Sequence, residues 1–519
     1  MLYFMAGFCK TRQVLLTLIP LFAIIDITMF SRNVPSTFHV GYKIYVNGTS
    51  RAVFTEFLTK MSKRDKYKRL ITFASALVLM GILTGIFAFV WYKEYSESIV
   101  LPYYRRGNWT LIAIYCLLIW LFFKAYGGFK LGYLKKTDML YSQLISMACV
   151  NTVTYFLISL IGRDFMRVAP ILQMTFVHFG IIAIWTVLTG KMYFLIYPPR
   201  KLVIIYGSSQ AAALVMKMSQ RVDKYMICES VSVSEPPEKI RELILKYEGV
   251  IICDIPAELR NDYLKFCFDH SIRTYIAPKI SDIIIRGADN IRLFDTPLLL
   301  CRNYGLDFEA RAFKRIFDIF FSLISIIILS PVMLISAIAV KICDGGPVLY
   351  KQKRLTIDEK EFYVLKFRSM IVDAEKDGKA RLATEEDDRI TPVGKILRKF
   401  RLDEFPQLFN ILKGDMSVVG PRPERPELSE EYRKDMPEFG FRLKVKAGLT
   451  GYAQVTGAYD TTPYDKLKMD LMYIENYSMR LDLQIILMTI KTMLFPPQNN
   501  AEISDGILLK QQNKQSKDE

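Results

Sequence analysis

The acids Asp403 and Glu404 stand side by side in Leu402-Asp403-Glu404-Phe405-Pro406-Gln407, just after the basic residues Lys395, Arg398, Lys399 and Arg401. Gly414-Asp415-Met416-Ser417 and Gly420-Pro421-Arg422-Pro423 follow shortly. A carboxylate among cations stays ionised at neutral pH, and the same cations can hold a phosphorylated substrate against it, so the set suits phosphoryl transfer. An ordinary helix N-terminus would look the same locally, because acids answer its unpaired amides and Pro406 is tolerated in a first turn. Pro421 and Pro423 fix the backbone on both sides of Arg422. Its guanidinium is therefore presented from a stiff segment that loses little entropy on binding phosphate or a base; a rigid surface turn is the plainer reading.

The three histidines, His39, His178 and His270, all fall outside residues 344–482, where the polar motifs concentrate. Catalysis there has to rest on carboxylates and cations, and a metal would be a hard, oxygen-liganded one such as Mg²⁺. The eight cysteines are scattered without a CxxC pair, which implies neither a disulfide framework nor a zinc site.

The elements that must position these residues begin with membrane helices. Of the 519 residues 51% are hydrophobic, mean hydropathy is +0.19 and net charge is +17, which indicates a membrane protein with cationic cytoplasmic surfaces. Much of the basic charge flanks apolar runs, so anionic headgroups and a phosphorylated substrate, not nucleic acid, account for it. Four runs are long enough to span, near 70–92, 110–127, 140–161 and 171–193. Lysines and arginines at 63–69, 130–136 and 200–201 place those flanks in the cytoplasm. The stretch up to residue 65 reads as a leader or an over-long start, with Met61 a natural beginning and Asn47-Gly48-Thr49 a chance sequon.

From 198 to 307 the composition is that of a soluble α/β unit. Leu202–Gly207 reads as a buried strand ending in glycine, Ala211–Arg221 as a helix and Val250–Cys253 as a second strand. Gly207-Ser208-Ser209-Gln210-Ala211 supplies only the first glycine of a dinucleotide fingerprint, so a regulatory or scaffolding role is expected in place of bound NAD. The apolar stretch Ile316–Val340 is interrupted by Ser330-Pro331. It fits a fifth span with a proline kink, or a helix that breaks at Ser330-Pro331, dips into the membrane and returns. The re-entrant form, over 314–342, keeps both flanking parts on one side and is the expectation adopted. Leu481–Phe495 is expected to lie against the membrane interface or that hairpin, with core packing equally compatible, and 496–519 reads as a disordered tail.

A resemblance now emerges from motifs in order: Asp344–Pro347, Tyr350–Arg354, Lys366-Phe367-Arg368-Ser369-Met370, Asp388–Thr391, Leu402–Gln407, Gly414–Ser417, Gly420–Pro423 and Gly448–Val455. The chain resembles the bacterial sugar transferases, specifically the long-form polyprenyl-phosphate sugar-1-phosphate transferases, or monotopic phosphoglycosyl transferases, which start capsule, O-antigen and exopolysaccharide assembly. The resemblance implies a membrane α-helical plus α/β fold. Its parts would be a four-helix transmembrane bundle over 66–197, a degenerate Rossmann-like domain over 198–307, and a C-terminal α/β catalytic domain over 308–495 anchored by the re-entrant helix-break-helix.

It further implies that Asp403 attacks the β-phosphate of a UDP-sugar and that undecaprenyl phosphate then takes the phosphosugar, with UMP released. Glu404 would hold Mg²⁺ or manage a proton, while Lys366, Arg368, Arg398 and Arg422, framed by Pro421 and Pro423, would neutralise phosphate oxygens. The enzyme would sit in the bacterial inner membrane with its catalytic domain facing the cytoplasm and its lipids as partners, and a homodimer is compatible with that. One departure is Thr356 after Leu355, where a glycine commonly stands. The rival reading is a non-catalytic membrane scaffold or sensor of polysaccharide assembly.

Overall fold

The computed structural model describes residues 49–99, 106–207, 210–301, 305–372, 374, 387, 389–457 and 461–495, with the helical backbone alone over 49–66. The expected leader up to residue 48, the sequon residues Asn47 and Gly48, Asp388 and the tail 496–519 lie outside the described residues. Helix α1 runs Thr49–Val90, straight through Met61, and is followed by α2 (Arg106–Tyr126), α3 (Lys136–Gly162) and α4 (Ala169–Ile196). Each of these four has a segment long and apolar enough to cross a membrane, as does a fifth helix over Phe308–Asp344. The protein is thus a membrane α/β protein.

The membrane helices are apolar on both faces, as lipid demands. Leu83, Ile119, Phe123, Met147 and Ile182 meet in a shared core while Leu160, Phe176 and Leu195 point outward. Their few buried polar groups pair across helices: Tyr115 Oη donates to Asn151 Oδ1 at 2.7 Å and Thr186 Oγ1 to Gln143 Oε1 at 2.9 Å.

Strands β1 (Arg200–Tyr206), β2 (Tyr225–Ser232), β3 (Gly249–Cys253) and β4 (Arg273–Ile276) alternate with α5 (Gln210–Ser219), α6 (Pro237–Lys246) and α7 (Ala257–Asp269), and α8 (Ile280–Arg286) follows β4. They form a parallel sheet of order β2-β1-β3-β4. The centres of β1 and β3 are covered on both sides, which is why they read as unbroken apolar runs. Gly207 marks a close approach: a Cβ there would lie 2.2 Å from the backbone oxygen of Asp254. The glycine is explained by the loop beside it without any pyrophosphate. Gly207→Ala is expected to cost about 1–3 kcal/mol through overpacking, read as a lowered Tm. A short antiparallel hairpin, β5 (Asp289–Leu293) and β6 (Thr296–Leu300), closes this region.

Helix α9 (Phe308–Asp344) corrects one expectation: it is a single element that continues through Ser330-Pro331 without a break. Pro331 lacks the N–H that would bond the Ile327 carbonyl four residues back. The Ser330 hydroxyl donates to that same carbonyl at 2.8 Å, so the orphaned acceptor is satisfied within the helix. Both halves of α9 pack on the C-terminal unit. Arg315 Nη1 and Nη2 donate to the Ile411 and Leu412 carbonyls at 2.6 and 2.7 Å, and Asp318 Oδ1 accepts from Val418 N at 2.9 Å. Further along, Met333, Ala337 and Val340 pack with Phe367 and Leu397.

That C-terminal unit comprises the antiparallel pair β7 (Leu349–Leu355) and β8 (Glu361–Phe367), α10 (Pro392–Lys399), α11 (Gln407–Lys413), β9 (Ser417–Val419), α12 (Pro426–Asp435), β10 (Gly448–Thr450), α13 (Tyr452–Thr456), α14 (Pro463–Glu475) and α15 (Met479–Leu494). β9 and β10 pair in parallel. The expected boundary at 307/308 is crossed by a shared core, since Ile283 of α8 is buried with Leu467, Leu471 and Ile485. Helix α15 packs into the core, the alternative held equal to the membrane interface, and also touches the start of α3. Asp482 and Ile485 are buried in the unit's interior, while Lys491 Nζ reaches the Asp138 carbonyl at 3.0 Å and Ser142 Oγ at 2.7 Å at the start of α3.

Candidate active site

Strand alternation delivers the first cations. Phe362 and Val364 of β8 are buried in the core, so Lys366 and Arg368, at the same parity, turn inward with them. Helix α10 starts with Thr391 as N-cap, its hydroxyl accepting from Gly394 N at 3.0 Å, and ends at Lys399; two residues on, Arg401 takes the left-handed region at φ 54°. A cost is paid there by a non-glycine residue. It reverses the chain into a 3₁₀ turn, Leu402–Glu404, that holds both acids only 9% exposed. Asn410 of α11 ties this turn's other flank to β8, donating to the Tyr363 carbonyl at 2.8 Å and accepting from Leu365 N at 2.9 Å.

The two acids occupy different environments. Glu404 Oε1 accepts from Arg422 Nη2 at 3.1 Å and Lys366 Nζ at 3.3 Å, with Arg401 Nη1 4.0 Å from Oε2. Burial pushes this carboxyl up, but Arg422, Lys366 and Arg401 outweigh it and hold Glu404 well below the ordinary carboxylate range. Asp403 makes no hydrogen bond or ion pair among the described residues. Burial and the neighbouring Glu404 raise its pKa, against the opposing pull of Lys366, Arg398 and Arg422. The expectation of a carboxylate kept ionised by cations therefore fits Glu404, whereas Asp403 is the less stabilised charge of the two.

The site residues proposed from sequence are not all in one place. Lys366 and Arg422 meet at Glu404, and Arg398 lies close enough to act on Asp403 while its Nε donates to Ser369 Oγ at 2.8 Å. Arg368 instead pairs with Asp344 at the end of α9, leaving Nε and Nη1 buried without partners among the described residues. Pro421 and Pro423 frame Arg422 as their spacing suggested, and their carbonyls are held as well: Gly448 N donates to Pro421 O at 2.9 Å and Arg354 Nη1 to Pro423 O at 3.0 Å.

Arg354 belongs to this cluster and was left unassigned by sequence reasoning. It sits beside Lys366 and Arg422 in a small cleft that Gln407 and Leu449 also line. Burial, aided by Arg422, lowers its pKa to about 10. The available signal was its same-face spacing from Gln352, whose Oε1 accepts from Arg354 Nη2 at 2.6 Å. Thr356, the departure from the family pattern, has a task of its own: its hydroxyl donates to Asp415 O at 2.9 Å and accepts from Ala447 N at 3.2 Å. The left-handed turn that a glycine would ease is taken by Asp358 and Glu359.

The hard divalent cation expected from the sequence would have Asp403 and Glu404 as its only carboxylates here, with phosphate and water left to complete the shell, and Arg422, Lys366 and Arg401 already lie at Glu404. Among the described residues no group of three or more His, Cys, Asp or Glu side chains could hold a metal, so the protein alone offers no closed cage. An unpartnered carboxylate beside a cationic ring suits attack on phosphorus, with the ring receiving the phosphate charge.

Residues 309–496 match the family model described as bacterial sugar transferase. A UDP-N-acetylgalactosamine-undecaprenyl-phosphate N-acetylgalactosaminephosphotransferase of Aeromonas hydrophila is 41% identical over 184 residues, 35% of this chain and 43% of the relative. A UDP-glucose:undecaprenyl-phosphate glucose-1-phosphate transferase of Klebsiella pneumoniae is 44% identical over 211 residues, 40% of this chain and 43% of the relative. An enzyme of that same name from Caulobacter vibrioides is 37% identical over 187 residues, 35% of this chain and 69% of the relative. The chain thus spans less than half the length of the first two relatives and more than two thirds of the third. The shared stretch contains the Asp403-Glu404 turn, the cations around it and the anchoring helix α9, and the chain belongs to the bacterial sugar transferase family.

Proposed function

We propose that this chain transfers a sugar 1-phosphate from a UDP-sugar to undecaprenyl phosphate at the bacterial inner membrane, through a covalent aspartyl-phosphosugar. The observation that carries this reading is the unpartnered carboxylate of Asp403 beside a Glu404 ringed by cations. A carboxylate oxygen of Asp403 attacks the β-phosphorus of the donor; the bond from that phosphorus to the bridging oxygen breaks, and UMP leaves with the oxygen. An oxygen of the polyprenyl phosphate then attacks the same phosphorus and returns the carboxylate to Asp403. Lys366, Arg354, Arg398 and Arg422 neutralise the phosphate charge. Mg²⁺ would be held by Glu404 together with the donor phosphates and supply further charge screening. The relatives named above act, by their names, on undecaprenyl phosphate and UDP-sugars, and the same substrates are assigned here.

The deciding experiment incubates the purified membrane enzyme with undecaprenyl phosphate and a panel of UDP-sugars and follows the nucleotide product. UMP release, abolished by a chelator, is expected. UDP would indicate ordinary glycosyl transfer, and no turnover with any donor would favour the scaffold reading. Both halves of α9 rest on one C-terminal unit, which supports a helix held with that unit on the cytoplasmic side and not one that crosses. Single cysteines placed before Lys314 and after Lys341 should accordingly react with an impermeant label from that side alone, and labelling from opposite faces would restore a spanning helix.

A further inference from the structure

The crevice beyond the carboxyl ends of a parallel sheet, where the strand order reverses, is where nucleotides usually bind in such folds. Here that point lies between β1 and β3, and the first turn of α14 is gripped beside it. Lys217 of α5 pairs with Asp465 at 2.8 Å, and Lys468 sits over the Tyr464 ring at 4.0 Å, close enough to Asp254 just beyond β3 to feel its charge. Further along, Leu467 and Leu471 share a buried core with Ile283 of α8.

The same helix reaches the catalytic cluster. Asp470 is 1% exposed and its Oδ2 lies 2.7 Å from Arg442 Nη2. That Arg442 nitrogen also donates to the backbone oxygen of Arg422 at 3.0 Å, and Arg442 Nη1 lies 3.4 Å from Glu424. A contact chain therefore runs from the α/β unit through α14, Asp470 and Arg442 to the backbone of the arginine that binds Glu404. Burying such a pair is expensive, and an apolar pair of similar volume would stabilise the fold as well or better, so its retention calls for a role beyond stability.

We infer that Arg442 and Asp470 are positioning residues that set Arg422 against Glu404, and that the α/β unit serves the site by gripping α14, not by binding a nucleotide of its own. This rests on the phosphosugar-transfer reading. The full-length enzyme is compared with three variants, measuring donor KM, kcat, UMP release and Tm. Arg442→Lys keeps a charge for Asp470 but cannot span both acceptors; donor KM should rise about tenfold while Tm stays near that of the parent. The double variant Arg442→Met with Asp470→Leu should melt no lower than the parent and still lose donor affinity to the same degree. Lys217→Glu, which sets like charges against Asp465, should raise donor KM about threefold, and adding Asp465→Lys should restore it. Unchanged donor KM in Arg442→Lys and in the double variant would overturn the positioning role, and unchanged KM in Lys217→Glu would overturn the grip. Parent enzyme that releases UDP in place of UMP would refute the underlying reading instead, which keeps the two failures distinct.

Discussion

Asp403→Asn should lower turnover by on the order of 10³-fold or more, because a neutral amide cannot serve as the nucleophile that splits the displacement into two steps. With donor labelled in the β-phosphate and acceptor omitted, the parent should retain label on protein and the variant should retain none. The loss should come without unfolding. Burial and Glu404 already disfavour the ionised form of Asp403 in the folded protein, raising its pKa, so an uncharged isostere removes a strained charge and should melt no lower than the parent. For the same reason the rate should fall on the acid side at a pH above that of an ordinary aspartate, while Glu404, held low by its cations, remains ionised. Undiminished turnover in Asp403→Asn would remove the assignment.

The second large effect concerns stability at the joint between α9 and α15. Lys314 Nζ lies 2.6 Å from Asp482 Oδ2, and Tyr473 Oη donates to Asp482 Oδ1 at 2.8 Å, with the Asp482 side chain 0% exposed. Asp482→Ala leaves the Lys314 ammonium buried without its counter-charge, which should cost about 3–5 kcal/mol. Combining Lys314→Met with Asp482→Leu removes both charges and should recover most of that loss. Thermal unfolding in nanodiscs reads both variants. A single variant as stable as the parent, or a double variant no better than the single, would show that the pair is not what holds α9 to the unit. The site would feel the loss too, because α9 also carries Arg315 and Asp318, which fasten the end of α11 and the start of β9.

Much of this protein was legible in one dimension because its signals are local. Runs of about twenty apolar residues cannot be satisfied in water, and their basic flanks mark them as membrane helices. The continuous apolar runs at Leu202–Ile205 and Val250–Ile252 announced strands buried on both sides. Adjacent acids after a basic helix, and an arginine between prolines, are patterns whose chemistry follows from residue type, and Lys366, Arg422 and Glu404 do meet.

Tertiary structure decided what depends on contacts distant in sequence. Nothing in the Leu402–Gln407 string distinguishes Asp403 from Glu404. Cations 38 and 18 residues away choose Glu404 and leave Asp403 unpartnered. Arg368 shares a motif and a strand face with Lys366, yet turns to Asp344 because the end of α9 happens to lie there. Arg354 joins the site only because β7 folds back beside β8. The helix through Ser330-Pro331 continues because a serine hydroxyl answers the carbonyl that the proline abandons, a compensation invisible to a count of helix breakers. Ile283 enters the catalytic core across a boundary that composition placed at 307, because burial follows surfaces that fit in space and not the order of residues along the chain.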